Sequence, residues 1–290
     1  MNGAIEVRNL VKRYPDFVLE NVSFRVPEGS IVGFIGENGA GKSTTMKAIL
    51  GLIKRDDGEI SLLGEPDGAR EEALKEQIGV VFDENCFPEH ISREDVNRML
   101  KAIFKNWQEK LFFKLCERFG IPGKKKIKEY SRGMKMKLSI AVAMSHQARL
   151  LILDEATSGL DPVVRAEILD MLREFVMDEH HTVFFSSHIT SDIEKIADYI
   201  LLIHKGRILL YEDRDTLLEQ YALVRCSDEV AAKLDPETVV GVRHGRFDTE
   251  VLVRSREGLK PGEHLAVDRV SLEDILLYTA EKPENERCIK

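Results

Sequence analysis

Nine consecutive residues, Gly36-Glu37-Asn38-Gly39-Ala40-Gly41-Lys42-Ser43-Thr44, decide the reading of this chain. They match the phosphate-loop pattern G-x-x-x-x-G-K-[ST]. Each residue type has a physical reason to stand there. Glycine lets backbone N–H groups turn toward phosphate oxygens with no Cβ in the way. A helix starting near Lys42 aims the positive end of its dipole at the anion. The Lys42 ammonium can reach the β- and γ-phosphates, and the Ser43 hydroxyl can ligate Mg²⁺. Gly36 to Thr44 is therefore the candidate nucleotide cradle, with Mg²⁺ as the implied ion.

The flanks fit the motif. Ser30 to Ile35 is β-branched and apolar and reads as a buried strand, and Lys42 to Leu52 reads as a helix. Farther along, Leu150-Leu151-Ile152-Leu153-Asp154-Glu155 is an apolar strand that ends in two acids. An acid at the C-terminal end of a strand, in the crevice beside the phosphate loop, suits Mg²⁺, and that role falls to Asp154. Glu155 is then placed to polarise an attacking water as a general base.

Outward from these two strands the chain alternates. Ile5 to Leu10, Phe17 to Val26, Glu59 to Leu63 and Ile78 to Phe82 read as strands, with a turn at Pro27-Glu28-Gly29. From about Ser92 to His146 the apolar residues recur at helical spacing, as in Val96, Met99, Leu100, Ile103 and Phe104, which predicts an insert of three or four helices. Lys124-Lys125-Lys126 inside it reads as a solvated loop. The alternation resumes with helices at Val163 to Met177 and Ser191 to Ala197 around a strand at Thr182 to Ser186. Ser191 and Glu194 fit a capping box. Tyr199 to Ile203 and Arg207 to Tyr211 form a hairpin across Lys205-Gly206. This rhythm predicts an α/β fold with a mostly parallel sheet covered by helices. After about Leu217 it stops: Leu223 to Cys226, Val239 to Val242 and Glu250 to Arg254 read as strands and Ser271 to Thr279 as a capped helix. The expected division is 1–221, with the helical insert at about 88–146, followed by a small α+β appendage at 222–290.

Composition narrows the classes. The 290 residues are 43% hydrophobic and 32% charged, with 42 Lys and Arg against 50 Asp and Glu. A net charge of -8 and a pI near 5.6 argue against nucleic acid as the main partner, which would need a basic face. The longest apolar runs are far short of the ~18 residues of a membrane span. The N-terminal residues have no secretory pattern, Asn2 does not suit myristoylation, and Cys288 does not stand in a prenylation box. The four cysteines, Cys86, Cys116, Cys226 and Cys288, show no metal spacing and read as free thiols.

These motifs together resemble the ATP-binding subunit of ATP-binding-cassette (ABC) transporters, over about residues 4 to 220. The resemblance implies a RecA-like core, an antiparallel β lobe and a helical insert. It also assigns further residues. Tyr14 stands where an aromatic stacks on adenine. Ser131-Arg132-Gly133-Met134 stands at the signature motif, so Ser131 and Gly133 would face the ATP of a second cassette; Ser131 is also a good helix N-cap. Ser158-Gly159-Leu160-Asp161 matches the loop that crosses the dimer interface. His188, after Ser186-Ser187, matches the switch histidine beside the γ-phosphate, so Lys42, Glu155 and His188 form the expected catalytic set. Three positions depart from the family pattern: Asp83 stands in place of a glutamine that faces Mg²⁺ or water, and Arg132 and Met134 replace a glycine and a glutamine of the signature. The partners implied are a separate membrane-spanning subunit, that of a bacterial ABC-2-type exporter, and a second cassette. The location implied is cytoplasmic, peripheral on the inner face of the cell membrane without direct insertion.

Overall fold

The computed structural model describes residues 3–67, 71–84, 86–255, 259 and 265–280; Cys288 lies outside them. The chain opens with two long strands, β1 (Gly3–Tyr14) and β2 (Phe17–Pro27), followed by β3 (Ile31–Ile35) and α1 (Lys42–Ile49). Next come β4 (Asp57–Leu62), β5 (Glu65–Pro66), α2 (Glu72–Lys75) and β6 (Ile78–Val81). The insert holds α3 (Arg93–Ile103), α4 (Glu109–Arg118) and α5 (Arg132–Met144). The alternation returns with β7 (Leu150–Asp154), α6 (Pro162–Phe175), β8 (Thr182–Ser187), α7 (Thr190–Ile196), β9 (Tyr199–His204), β10 (Arg207–Asp213) and α8 (Arg214–Gln220). The last part is β11 (Ala222–Cys226), α9 (Asp228–Ala231), β12 (Val239–His244), β13 (Thr249–Val253), β14 (Leu265–Asp268) and α10 (Leu272–Ala280).

The described residues form three sheets. The first is antiparallel, in the order β2-β1-β4-β5, and the second runs β10-β9-β3-β8-β7-β6 with β6, β7, β8, β3 and β9 parallel. Strands β3, β7 and β8 are buried at every position, as apolar strands covered on both faces must be. This order carries functional weight. β8 lies between β3 and β7, with Ile35 opposite Ser187 and Asp154 opposite Ser186. The loops that leave the C-terminal ends of these strands therefore begin side by side, and they are the loops that hold Gly36, Glu155 and His188.

The insert packs as an amphipathic group. Ser92 and Asp95 form a reciprocal capping box at the start of α3, with Asp95 Oδ2 accepting from the Ser92 N–H at 2.9 Å. The Trp107 indole donates to Asn97 Oδ1 at 2.8 Å, and the Asn97 amide donates to Glu109 Oε1 at 2.7 Å, which ties α3 to α4. Lys124, Lys125 and Lys126 are exposed, as expected.

Two local readings change. Helix α7 begins at Thr190 with Ile189 as its cap and no side-chain capping bond, so the box expected of Ser191 and Glu194 does not form. The Ser187 hydroxyl takes the Ile189 N–H instead, and Glu194 Oε2 accepts the backbone N–H of Leu272, the first residue of α10. The third sheet, ordered β12-β13-β11-β14, includes a strand, Leu265–Asp268, that the sequence reading missed. One of its faces closes a small cluster around Val224, Val251 and Val253. Its other face, through Leu223, Val240 and Leu252, joins α10 and the main hydrophobic core.

Candidate active site

The site starts with a backbone conformation. Gly41 adopts φ 115°, and a Cβ there would lie 2.6 Å from Leu19 and 2.9 Å from Phe17. Glycine is required on both counts, and the contact seats the hairpin between β1 and β2 against the phosphate loop. Gly39, with φ 82°, has open space where its Cβ would be. Gly41 caps α1 without any side-chain hydrogen bond, so no side chain competes for the N–H groups of the first turn. Such a cradle fits a polyphosphate.

Lys42 is almost completely buried, at 5% exposure. Its ammonium donates to the carbonyls of Gly36 at 2.7 Å and Glu37 at 3.2 Å, and it pairs with Glu155 Oε1 at 3.2 Å. Glu155 Oε2 accepts from the His188 backbone N–H at 3.3 Å and lies 2.6 Å from His188 Nδ1. One carboxylate thus joins the lysine of the first loop to the histidine of the third. The Glu155 backbone has φ 53°, a strained value for a residue with a side chain. Its N–H is anchored by Ser186, through the carbonyl at 3.2 Å and Oγ at 3.1 Å. The Ser186 hydroxyl in turn donates to Asp154 Oδ1 at 2.7 Å. Sequence reasoning placed Ser186 only at the end of a strand and as a neighbour of His188. Its role as the peg that fixes both acids follows from the β7–β8 register, which one sequence does not state.

The remaining predicted residues fall in two places. Tyr14 ends β1 beside the same hairpin, 42% exposed, with Lys12 Nζ over its ring at 5.4 Å from the centre. Ser131, Gly133 and Asp83 lie together at the start of α5. Ser131 caps the helix, its hydroxyl accepting from the Met134 N–H at 3.2 Å. Asp83 is paired with the Arg132 guanidinium. Arg132 also lies against Gly159, whose missing Cβ would be 2.6 Å from Nη1. Asp161 caps α6, accepting from the N–H groups of Val163 and Val164 at 3.1 and 3.0 Å.

Comparison with known proteins agrees with this geometry. The family model described as ABC transporter matches residues 19–158. The lantibiotic transport ATP-binding protein SrtF of Streptococcus pyogenes is 35% identical over 214 residues, covering 73% of this chain and 91% of that protein. The chain belongs to the ATP-binding subunits of ABC transporters. The bacitracin transport ATP-binding protein BcrA of Bacillus licheniformis is 34% identical over 215 residues, covering 72% of this chain and 69% of that protein. A solved structure of an ATP-binding subunit of an ABC transporter superposes with a TM-score of 0.66 at 28% identity, covering 75% of this chain and 92% of that one. This cassette is accordingly an ATPase of the ABC family. Among the described residues no helix is long and apolar enough to cross a membrane.

Proposed function

We propose that this cassette hydrolyses Mg-ATP to drive a bacterial exporter of the ABC-2 type, with Lys42, Glu155 and His188 as its catalytic set. The observation that carries the reading is the single carboxylate of Glu155, held 3.2 Å from Lys42 and 2.6 Å from His188 at the ends of three neighbouring strands. Phosphate oxygens would take Lys42 from the loop carbonyls and from Glu155. That leaves the Glu155 oxygen free to accept a proton from a water, while His188 keeps its carboxylate oriented. Residues Gly36, Glu37, Asn38, Gly39, Ala40, Gly41, Ser43 and Thr44 would line the polyphosphate, and the Tyr14 ring would stack on the base.

The donor set fits Mg²⁺. No group of three or more Cys, His, Asp or Glu suited to a metal occurs among the described residues. Mg²⁺ typically needs only one or two carboxylates, with waters and substrate phosphates completing its shell. Ser43 and Asp154 would hold it, with Asp83 facing the ion or its waters once released from Arg132. When bound, the ion offsets charge on the phosphates.

Two cassettes would sandwich two ATP molecules, with Ser131 and Gly133 of each closing on the nucleotide of the other. We assign residues 1–221 to the cassette and 222–290 to an appendage. The insert, through residues 84–105, would dock a separate membrane-spanning subunit and so keep the cassette on the inner face of the membrane. Similarity to lantibiotic and bacitracin transport proteins supports the exporter assignment. The test is purification from native membranes. A membrane protein should co-purify and crosslink to single cysteines placed within 84–105. Crosslinks confined to the appendage would refute the docking assignment.

A further inference from the structure

Two of the three departures from the family pattern face each other. The Asp83 carboxylate and the Arg132 guanidinium form an ion pair between the loop after β6 and the first turn of α5. The same guanidinium lies over Gly159, in the loop between β7 and α6. One turn along α5, Lys135 pairs with Glu89 at 3.3 Å, a second tie between the same two segments. The Asp83–Arg132 pair is about half exposed, at 46% and 51%. Water screens exposed pairs of this kind, so this one can be exchanged at little cost.

We propose that Arg132 is a guanidinium held in cis by Asp83, and that it exchanges this carboxylate for the polyphosphate of the ATP in a second cassette when the two close. The proposal rests on the two-cassette reading above. Arg132 stands between Ser131 and Gly133, so a closure that brings those two residues onto the nucleotide brings Arg132 within a side chain's length of it. A carboxylate offers one negative charge, whereas a nucleoside triphosphate offers several, and guanidinium binds phosphate through paired, charge-assisted hydrogen bonds. Closure also expels water, which strengthens the pairing the arginine then makes. The glycine of the family pattern has no such reach. Release of Arg132 would also free Asp83 at the moment of closure, so one exchange would couple the loop after β6 to the occupied partner site.

The test uses the full chain carrying Glu155→Gln, with ATP-dependent dimerisation followed by light scattering. Arg132→Ala should raise the ATP concentration at half-dimerisation by at least ~10-fold, the scale of a lost charged hydrogen bond. Arg132→Lys should recover part of the loss. Asp83→Asn removes the competing carboxylate, so it should give a lower concentration, relative to its own background, with Arg132 present than in the Arg132→Ala protein, where it changes only what Asp83 offers the ion. The proposal is overturned if Arg132→Ala dimerises like its parent, or if Asp83→Asn shifts the concentration equally with and without Arg132. Should Arg132→Ala fail to fold, Arg132→Gln replaces it in both comparisons, with the same outcomes supporting or overturning the proposal. A parent that stays monomeric in saturating ATP removes the two-cassette reading itself, a failure visible before any Arg132 variant is made.

Discussion

Glu155 holds two neighbours with one side chain, and its backbone is strained to do so. Its loss should separate binding from chemistry. Glu155→Gln keeps size and hydrogen bonding but removes the proton acceptor. Loss of a general base typically costs ~10²–10⁴-fold in rate, or ~3–5 kcal/mol of barrier. The variant should bind ATP, hydrolyse it at that reduced rate and accumulate as an ATP-held dimer; turnover at the wild-type rate would remove Glu155 from its role. Lys42→Ala acts earlier. No other cation is assigned to the β- and γ-phosphates, so nucleotide affinity measured by calorimetry should fall. Truncating a charged hydrogen-bond partner predicts ~1.5–3 kcal/mol, or roughly 10- to 150-fold. Much of this site is legible from residue types alone, since glycines, a lysine and strand-end acids have few uses at such spacing. The links between them are less so. That Glu155 reaches both Lys42 and His188, and that Ser186 pegs Asp154, depends on the strand order β3-β8-β7, a long-range property. The Asp83–Arg132 pair had a signal, two opposite charges at two departures from one pattern, but contact between positions 49 residues apart could be seen only in three dimensions.

At the scale of elements, periodicity predicts helices and strands well where one face is apolar, and poorly where a tertiary partner takes over. Ser191 and Glu194 have the spacing of a capping box, yet Glu194 serves α10, a partner 78 residues away. The short strand at Leu265–Asp268 has too few residues to announce itself and exists because β11 pairs with it. The join between insert and core makes a testable clamp. His146, just past α5, stacks on Phe104 with ring centres 4.2 Å apart, and its Nδ1 lies 2.8 Å from the Glu76 carbonyl. Burial holds this imidazole below its ordinary value of 6.5, against the opposing hydrogen bond to Glu76. The folded protein therefore favours neutral His146, and protons bind the unfolded chain more readily. The stabilisation is fully present above about pH 6.5 and is lost as pH falls through the folded-state value. The unfolding midpoint should drop on going from pH 7 toward pH 5, above the range in which Asp95 and Glu109, both held below ordinary carboxylate values by hydrogen bonds, begin to protonate. His146→Gln should lower stability at pH 7 and flatten this slope. An unchanged slope in the variant would place the proton elsewhere.

For the whole molecule, the question is what the part beyond residue 221 does for the cassette. The rhythm of the sequence breaks there, and a reader of sequence alone expects a detachable unit. The structure qualifies this. Val270, Leu272, Ile275 and Tyr278 are buried in the same hydrophobic cluster as Ile193 and Ile196 of α7, against which α10 packs. The Leu272 N–H is tied to Glu194. A truncation to 1–221 would bare the side of α7 that α10 covers. Fully burying one large aliphatic side chain is worth ~1.5–3 kcal/mol, so losing this cover consumes a large part of a typical ~5–15 kcal/mol stability. For a chain of this size each kcal/mol is ~2–4 °C of melting temperature, which predicts a fall of about 6–12 °C for a loss of ~3 kcal/mol. Leu272→Ala in the full chain should reproduce part of that fall. Chemistry should respond differently. None of the residues assigned to the nucleotide lies beyond 221, so ATP turnover per folded molecule, measured well below the truncation's melting temperature, should stay near that of the full chain. The alternative has its own signature, because α7 begins two residues after His188. If α10 sets the position of the switch histidine through α7, the truncation and Leu272→Ala will both lose turnover at temperatures where circular dichroism shows them fully folded. That result would make the appendage a control element of the ATPase and not a support for it.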